Sequence, residues 1–269
     1  MLRIVRSLFA VLVAIHSNVS RLADEPIPNA EAVPPADQFL VIPIRLHILK
    51  SDDFETVDCK LSDDDLRRIL GKVNGIWNKA GIHWGLESII SEPANRSEKF
   101  RLARELDQEP DLAAYRWLIP DKNRQFDGLH VYYLHDFSVN GVWLGENFAL
   151  VKETAKLREV EGGIDEPIPR VTAHELGHIL GLPHRQDRTN LLASGTTGTI
   201  LNEREVKTAR AEARMIPGVR TYRELSNEVK AAGDRPDGAR LRAWLNEINK
   251  VAVGVKPADD EAGHNPPLR

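Results

Sequence analysis

The stretch VTAHELGHILGLPHRQD, from Val171 to Asp187, places His174, Glu175, His178, Gly181 and His184 at a spacing that decides how the rest of the chain is read. Each residue of an α-helix advances about 100° around the axis, so His174 and His178, four apart, stand one above the other on a single face. Two imidazoles so placed can grip one ion. Glu175 projects about 100° around from His174, beside that ion, where a carboxylate can handle a water without being a ligand. Thr172, Ala173, Leu176, Ile179 and Leu180 already supply the apolar stripe that packs such a helix, which leaves the histidine face for another role.

His184 cannot reach the same ion along a continuing helix, because it would lie about a turn and a half further on. Gly181 offers the way back: glycine just past a helix end takes the left-handed conformation without side-chain cost, and Pro183 cannot resume the helix. Three neutral imidazoles with one position open to water describe a catalytic zinc site rather than a closed structural one. His174, His178 and His184 are therefore the candidate ligands of one Zn2+ ion, and Glu175 is the candidate general base.

The remaining sequence bounds the class of protein. Its 269 residues carry a net charge of −4 with acidic and basic residues interleaved, so nothing reads as nucleic-acid binding. The single cysteine, Cys59, cannot form an intramolecular disulfide and reads as a small core residue. Residues 1–20 join basic Arg3 and Arg6 to a short apolar run from Leu8 to Ile15, the pattern of an export signal and too short to span a bilayer. Residues 21–38 contain Pro26, Pro28, Pro34 and Pro35 and are expected to be an unpacked leader or linker. Residues 254–269 are expected to form a flexible tail. An exported protein, periplasmic or extracellular, with no stable membrane insertion after signal removal, follows from this reading.

Strands are expected over Phe39–Lys50, Ile82–Ile90, Leu129–Leu134 and Phe148–Val151, with Gly141 and Gly145 marking turns before the last. Ser62 caps a helix that continues to Gly81, and Pro167 and Pro169 open the histidine helix. A long polar excursion, 91–127, carries a helical piece around Arg101 to Leu106. Asn202 with Glu205, and Thr221 with Glu224, are capping-box starts of two further helices, and a last one is expected over Ala239–Val251 after a turn-rich stretch, Gly233–Gly238. His130 and His135 lie on or just after a strand and are weak rivals as ligands, since three are already supplied.

The run His174-Glu175-Leu176-Gly177-His178-Ile179-Leu180-Gly181-Leu182-Pro183-His184 resembles the extended zinc signature of the metzincin metallopeptidases. The resemblance implies an α+β fold with an upper lobe of twisted mixed sheet and two long helices, a zinc cleft, and a smaller, mainly helical lower lobe. On this chain that gives a catalytic domain over 39–253, divided into 39–181 and 182–253. The stretch Asn74-Gly75-Ile76-Trp77-Asn78-Lys79-Ala80-Gly81-Ile82 is also similar to the end of the first metzincin helix and its second strand. The family places a methionine turn beneath the zinc, and the matching stretch, Thr189 to Gly195, holds Leu192 at the methionine position. Leu for Met is close to volume-conserving and usually costs under about 1.5 kcal/mol, so metal binding is expected to survive it. No tyrosine follows Leu192, and Arg185 matches no subfamily marker at its position.

What the resemblance implies for function is a zinc metalloendopeptidase acting on a peptide or protein substrate. Water activated on zinc would attack the peptide carbonyl, with Glu175 taking the proton and returning it to the leaving amine. The segment Val142–Lys152 should include the strand at the cleft's edge, which can hold an extended peptide by its backbone. The competing reading is an exported zinc-binding protein of the same fold with little or no turnover, motivated by the missing methionine and tyrosine. Glu175 argues against it, because a site that only binds metal has no need of a carboxylate there.

Overall fold

The computed structural model describes residues 29, 32–105, 112–123 and 128–252. The signal expected over 1–20 and the tail expected over 254–269 lie outside the described residues. Strand β1 (Leu40–Lys50) is the axis of a mixed sheet and is buried along most of its length. It pairs in parallel with β2 (Ile82–Pro93) on one side and β3 (Leu129–Leu134) on the other. A strand covered on both faces reads as a nearly continuous apolar run, and β1 and β3 both do. Beyond β3 lie β5 (Phe148–Lys152), parallel to it, and then β4 (Gly141–Trp143), antiparallel to β5 at the sheet's edge. The two-residue β6 (Arg220–Thr221) pairs antiparallel with the start of β1.

Between β1 and β2 runs helix α1 (Asp63–Trp77), opened by a reciprocal cap in which Ser62 and Asp65 each accept the other's backbone N–H. Its apolar face, including Leu66, Ile69, Val73 and Trp77, packs against Ile44, Leu46 and Ile48 of β1. The buried Asn74 pins it to β2: its amide oxygen accepts Trp84 N–H at 2.8 Å and its amide nitrogen donates to Trp84 C=O at 3.1 Å. The polar excursion supplies two short helices, α2 (Ser97–Glu105) and α3 (Leu112–Arg116). Phe100 and Tyr115 from them join Leu49, Tyr132 and Phe148 in a second core on the opposite face of the sheet.

Helix α4 (Pro167–Ile179) carries the histidine motif and shares the face of α1. Trp77 Nε1 donates to Ala173 C=O at 3.3 Å, and Tyr133 OH meets Thr172 Oγ1 at 3.1 Å, so helix and sheet both locate α4. Three helices follow: α5 (Glu203–Ala213), α6 (Tyr222–Ala232) and α7 (Pro236–Ala252). The capping boxes expected at Asn202 and Thr221 both form. Leu225, Leu241, Trp244 and Ile248 of the last two helices bury Phe39 and Val41. Among the described residues no helix is long and apolar enough to cross a membrane.

Three expectations change. Gly141 is the first residue of β4 rather than a turn: the strand has only three residues, too few to show an alternating pattern. The last helix starts at Pro236, not Ala239, because proline suits a first helical turn and Gly238 is buried against Ala232. Residues 32–38 are also not an unpacked linker. Val33 and Ala36 pack on the Phe39 and Trp244 cluster, and Arg210 donates to Gln38 C=O at 2.7 Å.

On the second-core face, His47 is fully buried between Glu92 and His130, with Nδ1 at 2.7 Å from the Glu92 carboxylate and Nε2 at 2.9 Å from His130 Nδ1. Lys122 reaches the other Glu92 oxygen at 2.9 Å. Burial, more than any neighbour, pulls the His47 pKa below its ordinary 6.5 despite the carboxylate beside it. Burial pushes the Glu92 carboxyl up, yet hydrogen bonds from His47 and Lys122 leave it below its ordinary value. Below pH 6.5 unfolded His47 takes a proton that the folded imidazole refuses, so stability falls as pH drops through that value; Glu92 acts in the same direction at lower pH. Melting temperature should therefore fall between roughly pH 7 and 5, and fall less in His47→Gln, which keeps a donor for Glu92 but does not titrate. An equal fall in both proteins would exclude His47 as the group responsible.

Candidate metal centre

Helix α4 ends as the glycine requires. Gly181 has φ +74°, Gly181 N–H bonds His178 C=O at 3.0 Å, and Leu182 N–H reaches back to Gly177 C=O at 3.0 Å. The reversal brings His184 onto the face shared by His174 and His178. His178 Nε2 lies 3.0 Å from His174 Nε2 and 3.2 Å from His184 Nε2. Nitrogens bound to one tetrahedral zinc at 2.0–2.1 Å stand about 3.3 Å apart, close to both of these separations, and the ligand atoms of all three rings lie within 4.8 Å of one another. Among the described residues these three histidines form the group whose ligand atoms converge; His130 lies with His47, and His135 Nδ1 bonds Glu153.

Two of the rings are held in the right tautomer. His174 Nδ1 donates to Leu191 C=O and His178 Nδ1 to Leu182 C=O, each at 2.8 Å, which leaves their Nε2 lone pairs for a cation. Burial above all, then the cation of Arg170, pushes His174 down to about 3, and burial likewise lowers His178. Both rings are neutral at pH 7, as metal ligands must be.

Arg170, one turn before His174, is the residue that sequence reasoning missed. It is 1 % exposed, and its guanidinium donates to Gly198 C=O at 3.1 Å and to the carbonyls of Ala193 and Asn190. It thus ties α4 to the irregular loop beneath the histidines. The signal available was a lone charge in the first turns of a helix otherwise apolar on that side. Leu192, at the methionine position, is fully buried; a Cβ on Gly177 would come within 3.2 Å of its Cδ1, so it packs directly under the helix. Arg185 pairs with buried Glu205 at 2.6 Å, and Glu205 also accepts from Asn190 at 2.8 Å, joining the residue after His184 to helix α5.

Glu175 is 5 % exposed on the wall of a cavity of about 600 Å3 that also opens on the three histidines, Trp143 and Val139. Burial pushes its carboxyl up to about 8, against a hydrogen bond from the backbone N–H of Trp143. Trp143, 41 % exposed, and Val139, 45 % exposed, make the mouth of the cavity apolar. Cys59 is buried as expected, but polar in its contact: its Sγ donates to Glu153 at 3.1 Å, and burial raises its pKa, so it is an inert thiol.

No protein-family model matches the chain, and no curated protein does. Solved structures with a similar arrangement include a chain of a chaperone–substrate complex, at 12 % identity over 66 % of this chain and 35 % of that one, TM-score 0.37. Archaemetzincin from Methanopyrus kandleri matches at 16 % identity over 67 % of this chain and 98 % of that one, TM-score 0.40. Metalloproteinase-II from Bacteroides fragilis matches at 13 % identity over 70 % and 59 %, TM-score 0.37. The chain thus spans about a third of the first of these and under two thirds of the last. At these scores the reading of the centre rests on its own residues.

Two outcomes check the geometry. His174→Ala, His178→Ala and His184→Ala should each lower bound zinc well below the parent's on elemental analysis, and full occupancy in His184→Ala would exclude a three-histidine site. Arg170→Met should lower stability by about 3 kcal/mol in denaturant unfolding, since buried carbonyls lose a charged donor. A loss under about 0.5 kcal/mol, the scale of a plain surface change, would mean that the loop does not depend on the guanidinium.

Proposed function

We propose that the chain is a zinc-dependent peptidase of the metzincin kind, with His174, His178 and His184 holding one Zn2+ and Glu175 as general base. The observation that carries this reading is the convergence of three Nε2 atoms and one buried carboxylate on a single cleft. A zinc ion held there would polarise a substrate carbonyl and make water more acidic. Glu175 takes the proton from the attacking water and passes it to the departing amine. Its burial suits that role, because a desolvated carboxylate holds a proton more tightly than a solvated one and is the stronger base when ionised.

Strand β4 supports a place for the substrate. It is a sheet edge beside Glu175, and an extended peptide can add to it by backbone hydrogen bonds, with Val139 and Trp143 offering apolar contact. The basic and apolar start of the sequence supports export, and the division into lobes at Gly181 belongs to the same reading. The protein substrate would meet the peptidase outside the cytoplasm.

Glu175→Gln preserves size and hydrogen bonding but removes the base. Zinc content should stay near the parent's while cleavage of a mixed peptide pool drops by about 10² to 10⁴, the usual contribution of general acid–base catalysis. Equal cleavage by the two proteins, measured with metal content on the same preparations, would remove Glu175 from the chemistry. A parent that holds zinc and cleaves nothing across the pool would favour a metal-binding module.

A further inference from the structure

In an antiparallel pair, successive residues of an edge strand turn their backbone groups alternately toward the partner and away from it. On β4 the inward set is fixed: Lys152 N–H bonds Asn140 C=O at 3.0 Å and Leu144 N–H bonds Phe148 C=O at 3.0 Å, with Val142 opposite Leu150 between them. Gly141 and Trp143 therefore present their N–H and C=O groups outward, to the cleft. One of these outward donors, Trp143 N–H, is turned toward the carboxylate of Glu175 on the wall of the same cavity. Gly141 is pressed against the same side chain. A Cβ built there would lie 2.8 Å from Glu175 Oε1, 2.9 Å from its Cγ and 2.5 Å from Val171 Cγ1, contacts no side chain tolerates.

Building on the peptidase reading above, we propose that Gly141 and the outward N–H of Trp143 form a seat that fixes the Glu175 carboxylate, making both positioning residues. The glycine is there for room: only a residue without Cβ lets the strand lie this close to α4. The amide then selects one orientation of a carboxylate that burial alone would leave free to turn. A consequence for substrate docking is that an extended peptide on β4 finds Gly141 N–H and two carbonyls available, while the Trp143 amide is shared with the base.

The first test needs no turnover. Amide hydrogen exchange on the metal-free full chain should show Trp143 N–H protected in the parent. In Glu175→Ala it should exchange at least about tenfold faster, with Val142 and Leu144 unchanged because their partners are on β5. Equal Trp143 exchange in the two proteins overturns the seat. The second test uses peptide hydrolysis by zinc-loaded protein. Gly141→Ala should lower kcat by about 10²-fold, the scale of a misplacement near 1 Å, with zinc content at the parent's level and KM little changed. Trp143→Pro and Trp143→Ala both lose the indole and differ in the backbone N–H, so kcat of the proline variant should be the lower by about tenfold or more. Parent-like kcat in folded Gly141→Ala, or equal kcat in the two Trp143 variants, overturns the proposal. An inactive zinc-loaded parent removes the peptidase reading and leaves the exchange measurement to decide the seat.

Discussion

Three imidazoles can meet at one point on this chain only because the backbone turns back at Gly181. Six residues of continued helix would carry His184 about 9 Å along the axis from His178, out of reach of a shared ion. The left-handed glycine, with φ +74°, ends the helix instead. The same turn does a second thing: it places Leu182 C=O where His178 Nδ1–H can donate to it at 2.8 Å. One reversal thus returns the third ring and sets the tautomer of the second. A side chain at 181 would be strained by its backbone angle, and its Cβ would also crowd Glu212 Cγ at 3.2 Å.

The loop after that turn has little regular structure, and a buried irregular loop carries carbonyls that must find donors. Two buried charges answer this. Arg170 spreads its donors over Asn190, Ala193 and Gly198, as a planar group with five N–H bonds and no acceptor is suited to do. Glu205 collects Arg185, Asn190 and the N–H of Asn202, so it caps α5 and anchors the loop with the same carboxylate. The loop's own carbonyl at Leu191 then orients His174. Loop and candidate ligands are one hydrogen-bonded unit, with helices α4 and α5 as its walls.

How much of this was legible follows from range. The histidine spacing, the caps at Ser62, Asn202 and Thr221, and the apolar strands are local signals, since each depends on residues within a turn or a few positions. Strand β4 carries no such local signal, because three residues show no period; an edge strand within Val142–Lys152 was expected only from the family resemblance, and Gly141 looked like punctuation when its purpose is clearance from Glu175 and Val171. Arg170 was missed for another reason: the carbonyls that it serves lie 20 to 28 residues away in sequence. The leader misled by composition, since proline-rich chain can still pack where Val33 and Ala36 find an apolar surface. Cys59 was read correctly as buried, yet nothing local pointed to its bond with Glu153, 94 residues on.

The leucine at the methionine position shows what that turn has to provide. Leu192 N–H is held by the Asn190 side chain at 2.7 Å, and Leu192 C=O accepts Arg185 N–H at 3.0 Å. Its backbone therefore links the loop to the residue that follows His184. Its side chain fills the space under Gly177, where the helix has no Cβ of its own. Both contributions depend on backbone position and apolar volume, and neither depends on sulfur. A residue of methionine-like volume suffices for such a place, so the departure at Leu192 weighs little against the proposed metal centre, whose candidate ligands are positioned by Gly181, Leu182 C=O and Leu191 C=O.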